Sequence, residues 1–371
     1  MSLDRLQRLH DAGVSIWLDT LSRELLDSGA FARLIADCAV TGATSNPTIF
    51  ARAITASTLY DDQLRAAAAA GTCDTQELFF ELALEDVRRA ADLLRPVYDA
   101  SVGRDGFVSF ECTPEVADDT DATIKQAVAL WNRLARHNTM IKVPATDAGI
   151  AAIEKLTARA VNVNVTLLFS VDRYEQVIDA YLAGLEQRVA TGRPVESIAS
   201  AASFFVSRLD GKADALLPAD SMLRGRVAIA NAHRAYTRYR QRFADRRWHA
   251  LRDAGAAPQR PLWASTGAKD PAYSDVLYVE QLIAPDVINT MPESTLRAFA
   301  DHGVVGDALN ADARDAGELL CLAGEAGIDL GALTAELERE GVRAFCDSYR
   351  ELLDCIESKL QRSAAAISAR S

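Results

Sequence analysis

Residues 161–169 read VNVNVTLLF, an alternation that sends Val161, Val163 and Val165 to one side of a strand and Asn162, Asn164 and Thr166 to the other. The same period of two recurs in FVSFEC (107–112), where Val108 and Phe110 oppose Ser109 and Glu111. It recurs again in VSIWLD (14–19), where Ile16 and Leu18 oppose Ser15, Trp17 and Asp19. A strand in an open, doubly wound sheet is covered by helices on both faces and reads as a nearly continuous apolar run. One apolar face and one mixed face suit a closed barrel instead. The apolar set then meets a helical layer and the mixed set fills the interior.

Outward from these three runs lie five more: GATSN (42–46), TMIKVP (139–144), SAASFFVS (200–207), PLWAST (261–266) and DVINTM (286–291). Helix-like stretches at 22–38, 74–98, 119–137, 149–158, 171–190 and 211–254 separate them. Eight β-then-α units predict an α/β fold, a (β/α)8 TIM barrel. The chain of 371 residues, 49% of them hydrophobic, shows no internal repeat and no Pro/Gly/Ser-rich linker, so one domain over 1–371 is expected. Extra helices flank the barrel at both ends. In the C-terminal one, 311–362, Leu319, Leu320, Leu333, Leu337, Phe345 and Leu352 are the expected core contacts, and SAAAISARS (363–371) reads as a flexible tail. RAAAAAG (65–71) reads as a helix end closed by Gly71.

Composition narrows the partners. A net charge of -12 without any Lys/Arg-rich run argues against nucleic acid and against an anionic membrane surface. An acidic protein that handles phosphates must gather positive charge in one place. No run approaches the ~18 apolar residues of a membrane helix, and the N-terminus has no apolar core of a signal peptide, so a cytoplasmic protein is expected. The six cysteines, Cys38, Cys73, Cys112, Cys321, Cys346 and Cys355, form no CxxC pair and read as reduced thiols. Cys112, directly after Glu111, reads as a small core residue. Neither G-x-G-x-x-G nor G-x-x-x-x-G-K-[ST] occurs. The five histidines are scattered, and DDTD (118–121) reads as a capped helix start rather than a cation site. No metal and no cofactor are expected.

In such barrels the chemistry sits at the C-terminal ends of the strands. Those ends carry Asp19, Asn46, Glu111, Lys142, Asn164 with Thr166, Ser203, Ser265 and Asn289. Each has a structural alternative. Asp19 can cap the next helix, Asn46 can make an ordinary turn, Asn162 and Asn164 can bond loop backbone, and Glu111 can simply pair with Lys142. Taken together, a lysine in mid-strand with two carboxylates on nearby strands favours a site. Burial disfavours an ammonium, and a neutral amine can attack a ketone to form a Schiff base. The iminium is an electron sink that allows a neighbouring carbon–carbon bond to break, with Asp19 and Glu111 available to move protons.

WLDT (17–20), TSNPTIF (44–50), MIKVPAT (140–146), NVTLLFS (164–170) and SFFVSR (203–208) resemble, in order, the strand-end motifs of the transaldolases, across residues 14–291. The helical flanks resemble the actinobacterial-type branch of that family. The resemblance implies a cofactor-free enzyme of the non-oxidative pentose phosphate pathway. Such an enzyme moves a dihydroxyacetone unit from sedoheptulose 7-phosphate or fructose 6-phosphate to glyceraldehyde 3-phosphate or erythrose 4-phosphate. By resemblance, Lys142 forms the Schiff base, Asp19 takes the C4 hydroxyl proton, and Glu111 with Thr166 serves imine formation through a water. Asn46 and Asn164 bind substrate hydroxyls. Ser203 and Arg208 match phosphate-binding positions, with Ser265 beside them. Many members carry an arginine after strand seven where this chain reads WASTGAKD (263–270), and Lys269 is the cation available to take its place. A barrel aldolase that releases free dihydroxyacetone, a pyridoxal-phosphate enzyme and a non-catalytic sugar-phosphate-binding barrel are the competing readings. The partners expected are small sugar phosphates, and the chain itself as a monomer or homodimer.

Overall fold

The computed structural model describes residues 3–70, 74–306 and 313–368. Eight parallel strands close into a barrel in chain order. They are β1 (Val14–Leu18), β2 (Val40–Thr44), β3 (Val108–Glu111), β4 (Thr139–Pro144), β5 (Val163–Leu168), β6 (Ser200–Phe205), β7 (Arg260–Ala264) and β8 (Val287–Met291). α1 (Leu3–Asp11) precedes β1, and α2 (Arg23–Asp27) and α3 (Ala30–Asp37) follow it. After β2 come α4 (Pro47–Ala56), α5 (Asp61–Ala69) and α6 (Thr75–Ala100). Single helices α7 (Thr120–Leu134), α8 (Asp147–Ala158) and α9 (Val171–Ala190) follow β3, β4 and β5. The long connection after β6 holds α10 (Ser207–Leu216), α11 (Val227–Arg242) and α12 (Arg246–Asp253). α13 (Leu277–Gln281) follows β7; α14 (Glu293–His302), α15 (Ala313–Glu325) and α16 (Leu330–Ser368) follow β8.

The alternation seen in the sequence divides the core in two. Ile16, Leu18, Ile141, Val143, Val163, Val165, Phe204 and Trp263 point outward into the apolar layer shared with the helices. Trp17, Phe107, Met140, Ala201, Leu262, Ala264 and Ile288 form a separate cluster inside the barrel. The Trp17 indole donates to Asp105 at 2.9 Å, Ser15 bonds the same carboxylate, and Arg260 donates to Ser15 Oγ at 2.7 Å. This plug closes the N-terminal end. Gly42 on β2 is required by it, because a Cβ there would lie 2.5 Å from the Trp17 ring. Losing the indole would cost about 3–5 kcal/mol.

Several boundaries differ from the expectations. β2 begins two residues before GATSN and ends at Thr44, so Ser45 and Asn46 lie beyond the strand. The stretch 22–38 is two helices, split where Gly29 takes φ 70°. The stretch 211–254 is three, broken after Leu216 and again at Asp245, whose side chain caps α12. α16 continues to Ser368, into the segment read as a tail; residues 369–371 lie outside the described residues, as do Gly71 and Cys73. The five described cysteines are free. Asp119 of DDTD caps α7, and among the described residues no cluster of potential metal ligands occurs.

Candidate active site

A cavity of about 500 Å³ opens at the C-terminal end of the barrel. Asp19, Asn46, Glu111, Lys142, Thr166, Ser203, Arg208, Ser265 and Lys269 all line it. Lys142 is 7% exposed. The register pairs it with Glu111 on β3 and with Asn164 on β5. Its Nζ makes an ion pair with Glu111 Oε1 and donates to the Ser45 carbonyl at 3.1 Å. The carboxylate partner missing from the sequence around Lys142 thus comes from the adjacent strand. Among the described residues, Glu111 Oε2 is buried without a hydrogen-bond partner. Burial pushes the Glu111 carboxyl above its usual range, with Lys142 opposing.

Asp19 directly follows β1. Its backbone N–H donates to the Met291 carbonyl at 2.8 Å, which ties it to β8. Its carboxylate accepts from Thr44 Oγ1 at 2.8 Å, and Thr44 in turn lies 2.7 Å from Thr290 Oγ1. Ser22, not Asp19, caps α2, so the capping alternative for Asp19 is set aside. Burial raises the Asp19 pKa, opposed by Lys142, Thr44, Lys269 and Arg208. The two carboxyls and the amine therefore share one electrostatic environment.

A polar belt runs beneath them. Asn164 Nδ2 donates to Ser109 Oγ at 2.9 Å, and Ser203 Oγ donates to Asn164 Oδ1 at 2.7 Å. Asn164 is fully buried and does not itself line the cavity; it holds Ser203, which does. Asn46 caps α4, its Oδ1 accepting from Ile49 N at 3.0 Å, so its amide hydrogens stay available. Asn162 behaves as the structural alternative held, bonding the His137 and Thr139 carbonyls. Asn289 faces the helical layer and accepts from Thr266 Oγ1 at 2.8 Å; the cavity receives Thr290 instead.

Positive charge gathers at the rim. Arg52, Lys142, Arg208 and Lys269 face two carboxylates, Asp19 and Glu111, in a protein whose net charge is -12. The Arg208 guanidinium stacks over Phe205, 5.1 Å from the ring centroid. Ser265 adopts φ 58° and Leu167 φ 57°, left-handed conformations for side-chain-bearing residues, and both line the cavity. Thr44, Thr290 and Arg52 were missed in the sequence. The parity of DVINTM carries the signal for Thr290, since Ile288 and Thr290 share a face.

The geometry is that of a barrel able to form an imine. A profile of the Transaldolase/Fructose-6-phosphate aldolase family matches residues 16–356. The chain belongs to this family. It is 50% identical over 362 residues to a Transaldolase of Saccharopolyspora erythraea, covering 96% of this chain and 98% of that protein. A Transaldolase of Parafrankia is 48% identical over 366 residues, 97% of this chain and 99% of its own length. One from Thermobifida fusca is 48% identical over 361 residues, 96% and 98% of the two chains. The transaldolase-family barrel here ends in a helix that also reaches the cavity: α16 supplies Gly341, Ala344, Phe345 and Ser348 to its wall.

Proposed function

We propose that the protein is a transaldolase that carries a dihydroxyacetone unit on Lys142 from a ketose phosphate to an aldose phosphate. The observation that carries this proposal is the grouping of one buried lysine with two partly buried carboxyls in a cavity also lined by Arg52, Arg208 and Lys269. Lys142 Nζ bonds to the ketose carbonyl carbon, and Glu111 passes protons to and from the carbinolamine oxygen, which leaves as water. Thr166 lines the same cavity and would hold that water. The Asp19 carboxylate takes the C4 hydroxyl proton, the C3–C4 bond breaks, and its electrons pass into the iminium to give an enamine. The shortened aldose phosphate departs. The enamine carbon then attacks the acceptor aldehyde, Asp19 returns its proton to the new hydroxyl, and hydrolysis frees Lys142.

Asn46, on the cavity wall, would bind hydroxyls near the reacting carbons, with Asn164 behind the wall, bonded to Ser203, in a supporting place. Arg208, Ser203, Ser265 and Lys269 are the phosphate end. Lys269 offers a point charge where many members offer the bidentate fork of arginine. The expected donors are sedoheptulose 7-phosphate and fructose 6-phosphate, the acceptors glyceraldehyde 3-phosphate and erythrose 4-phosphate. We take the chain as one barrel domain acting in the cytoplasm as a monomer or homodimer, states that light scattering separates. Among the described residues no helix is long and apolar enough to cross a membrane. A coupled assay tests the reaction. Consumption of fructose 6-phosphate that depends on erythrose 4-phosphate is expected, whereas equally fast release of free dihydroxyacetone without acceptor would make the protein a lyase.

A further inference from the structure

The sequence assigns Phe345 to the core, and the structure does not. Of the twelve phenylalanines, eleven belong to or pack against the two apolar clusters. Phe345 is half-buried, absent from both, and lines the active-site cavity. Its helix is held firmly across the barrel mouth. On the β6 side Lys212 bonds Glu336 at 2.8 Å and Glu340 at 2.9 Å. On the β2 side Thr48 Oγ1 donates to Ser348 Oγ at 2.8 Å. Further along, Lys359 bonds Asp61 at 2.8 Å and the Ser57 carbonyl at 2.7 Å. Between these anchors Gly341 lets the helix settle onto the β5 rim: a Cβ there would lie 3.0 Å from Leu167 Cδ2. Leu167 directly follows Thr166. Gly341, Phe345 and Ser348 fall at i, i+4 and i+7, so one helix face looks into the cavity. Leu352 and Ile356 hold the following turns in the core.

We propose that Phe345 contacts the carbon chain of the bound sugar and decides whether the enamine on Lys142 waits for an acceptor or is discharged. The proposal rests on the Schiff-base reading above and adds a residue to it. An enamine has two fates. Its carbon can form a bond to an acceptor carbonyl, which is transfer. Alternatively the carbon takes a proton, the one lifted from the C4 hydroxyl; water then adds to the iminium, and dihydroxyacetone and the free amine separate. Hydrolysis ends both routes, but the second needs a proton and then water at the adduct before the acceptor arrives. In a cavity that also carries Phe205, Leu167 and Ile49 among its polar and charged groups, the Phe345 ring adds apolar surface on the α16 side, where it limits water and offers a face to the C–H groups of the chain. A helix pinned at both sides of the mouth keeps that ring in place between the two half-reactions.

The test uses the full chain with fructose 6-phosphate, with and without erythrose 4-phosphate. Wild type, Phe345→Ala and Phe345→Leu are compared for dihydroxyacetone release, transfer rate and acceptor KM. In Phe345→Ala the ratio of release to transfer should rise about tenfold and acceptor KM should increase, the scale of one lost apolar contact in a binding pocket. Phe345→Leu, which keeps an apolar group at the same place, should recover most of the difference. Both variants should melt as wild type does, because the ring is not packed into the core. A wild-type ratio in Phe345→Ala, or equal falls in both routes, overturns the proposal. Failure of the wild-type enzyme itself to require an acceptor overturns the transferase reading instead, so the two failures are distinguishable.

Discussion

Replacing Lys142 by methionine tests the site through stability as well as activity. The side chains of Lys142 and Glu111 are only 8% and 12% exposed, and Glu111 Oε2 already lacks a partner. Removing the amine strands a carboxylate whose other oxygen has then lost its cation. Breaking a buried pair in this way costs about 3 kcal/mol, at the low end of the usual scale because the carboxyl can escape by taking a proton. With an unfolding entropy of roughly 2.1 cal/mol/K per residue, that corresponds to a fall in Tm of about 4 °C for this chain. The pH dependence follows from the same carboxyl. Its folded pKa lies above its unfolded one, and loss of Lys142 raises it further, so the folded state holds the proton more tightly. Stability from such a group is greatest when it is protonated and falls as pH rises through the window from ~4.3 up to the folded pKa. The variant's deficit should therefore be smaller at pH 5 than at pH 8. Melting curves of both proteins across that range provide the assay, and Lys142→Met/Glu111→Gln should recover much of the loss at pH 8. A deficit of equal size at both pH values would refute the burial argument for Glu111.

Three further outcomes are expected. If Asp19 takes the C4 hydroxyl proton as proposed, Asp19→Asn should lower turnover about 10²–10⁴-fold while trapped adduct still forms on the amine; steady-state rates and mass spectrometry read the two separately. Lys269→Ala should raise KM for phosphorylated substrates more than it lowers kcat, and Lys269→Arg should lower KM by offering a bidentate contact, both checked by initial rates at two ionic strengths. Gly42→Ala places a methyl 2.5 Å from the Trp17 ring and should destabilise the protein by about 1–3 kcal/mol in denaturant unfolding without altering the reacting groups.

Much of the barrel was legible because a strand in a filled barrel keeps different company on its two faces. VNVNVTLLF shows that up to Thr166: Val161, Val163 and Val165 join the outer cluster, and the alternation breaks at Leu167, which turns to the cavity. Lys142 and Glu111 were legible as members of one polar face, but their pairing required the register between β3 and β4, which no local pattern encodes. Asn289 was misplaced because a polar residue near a strand end was counted without applying parity; its neighbour Thr290 shares the inward face with Ile288. Phe345 was assigned to the core because helical spacing marks an apolar stripe and not what the stripe faces. Arg52 sits on a helix, out of the strand-end pattern altogether, and only the closed fold brings it to the rim. Local chemistry set the helix caps well: Asp119, Ser170 and Asp245 each accept from the first turn that follows.

Borohydride trapping with fructose 6-phosphate, followed by peptide mass spectrometry, tests for the Schiff base on Lys142. A single reduced adduct on the peptide containing Lys142, absent from Lys142→Met, is the expected result. Adduct on Lys269 or any other lysine, or none at all in an enzyme that turns over, would contradict it.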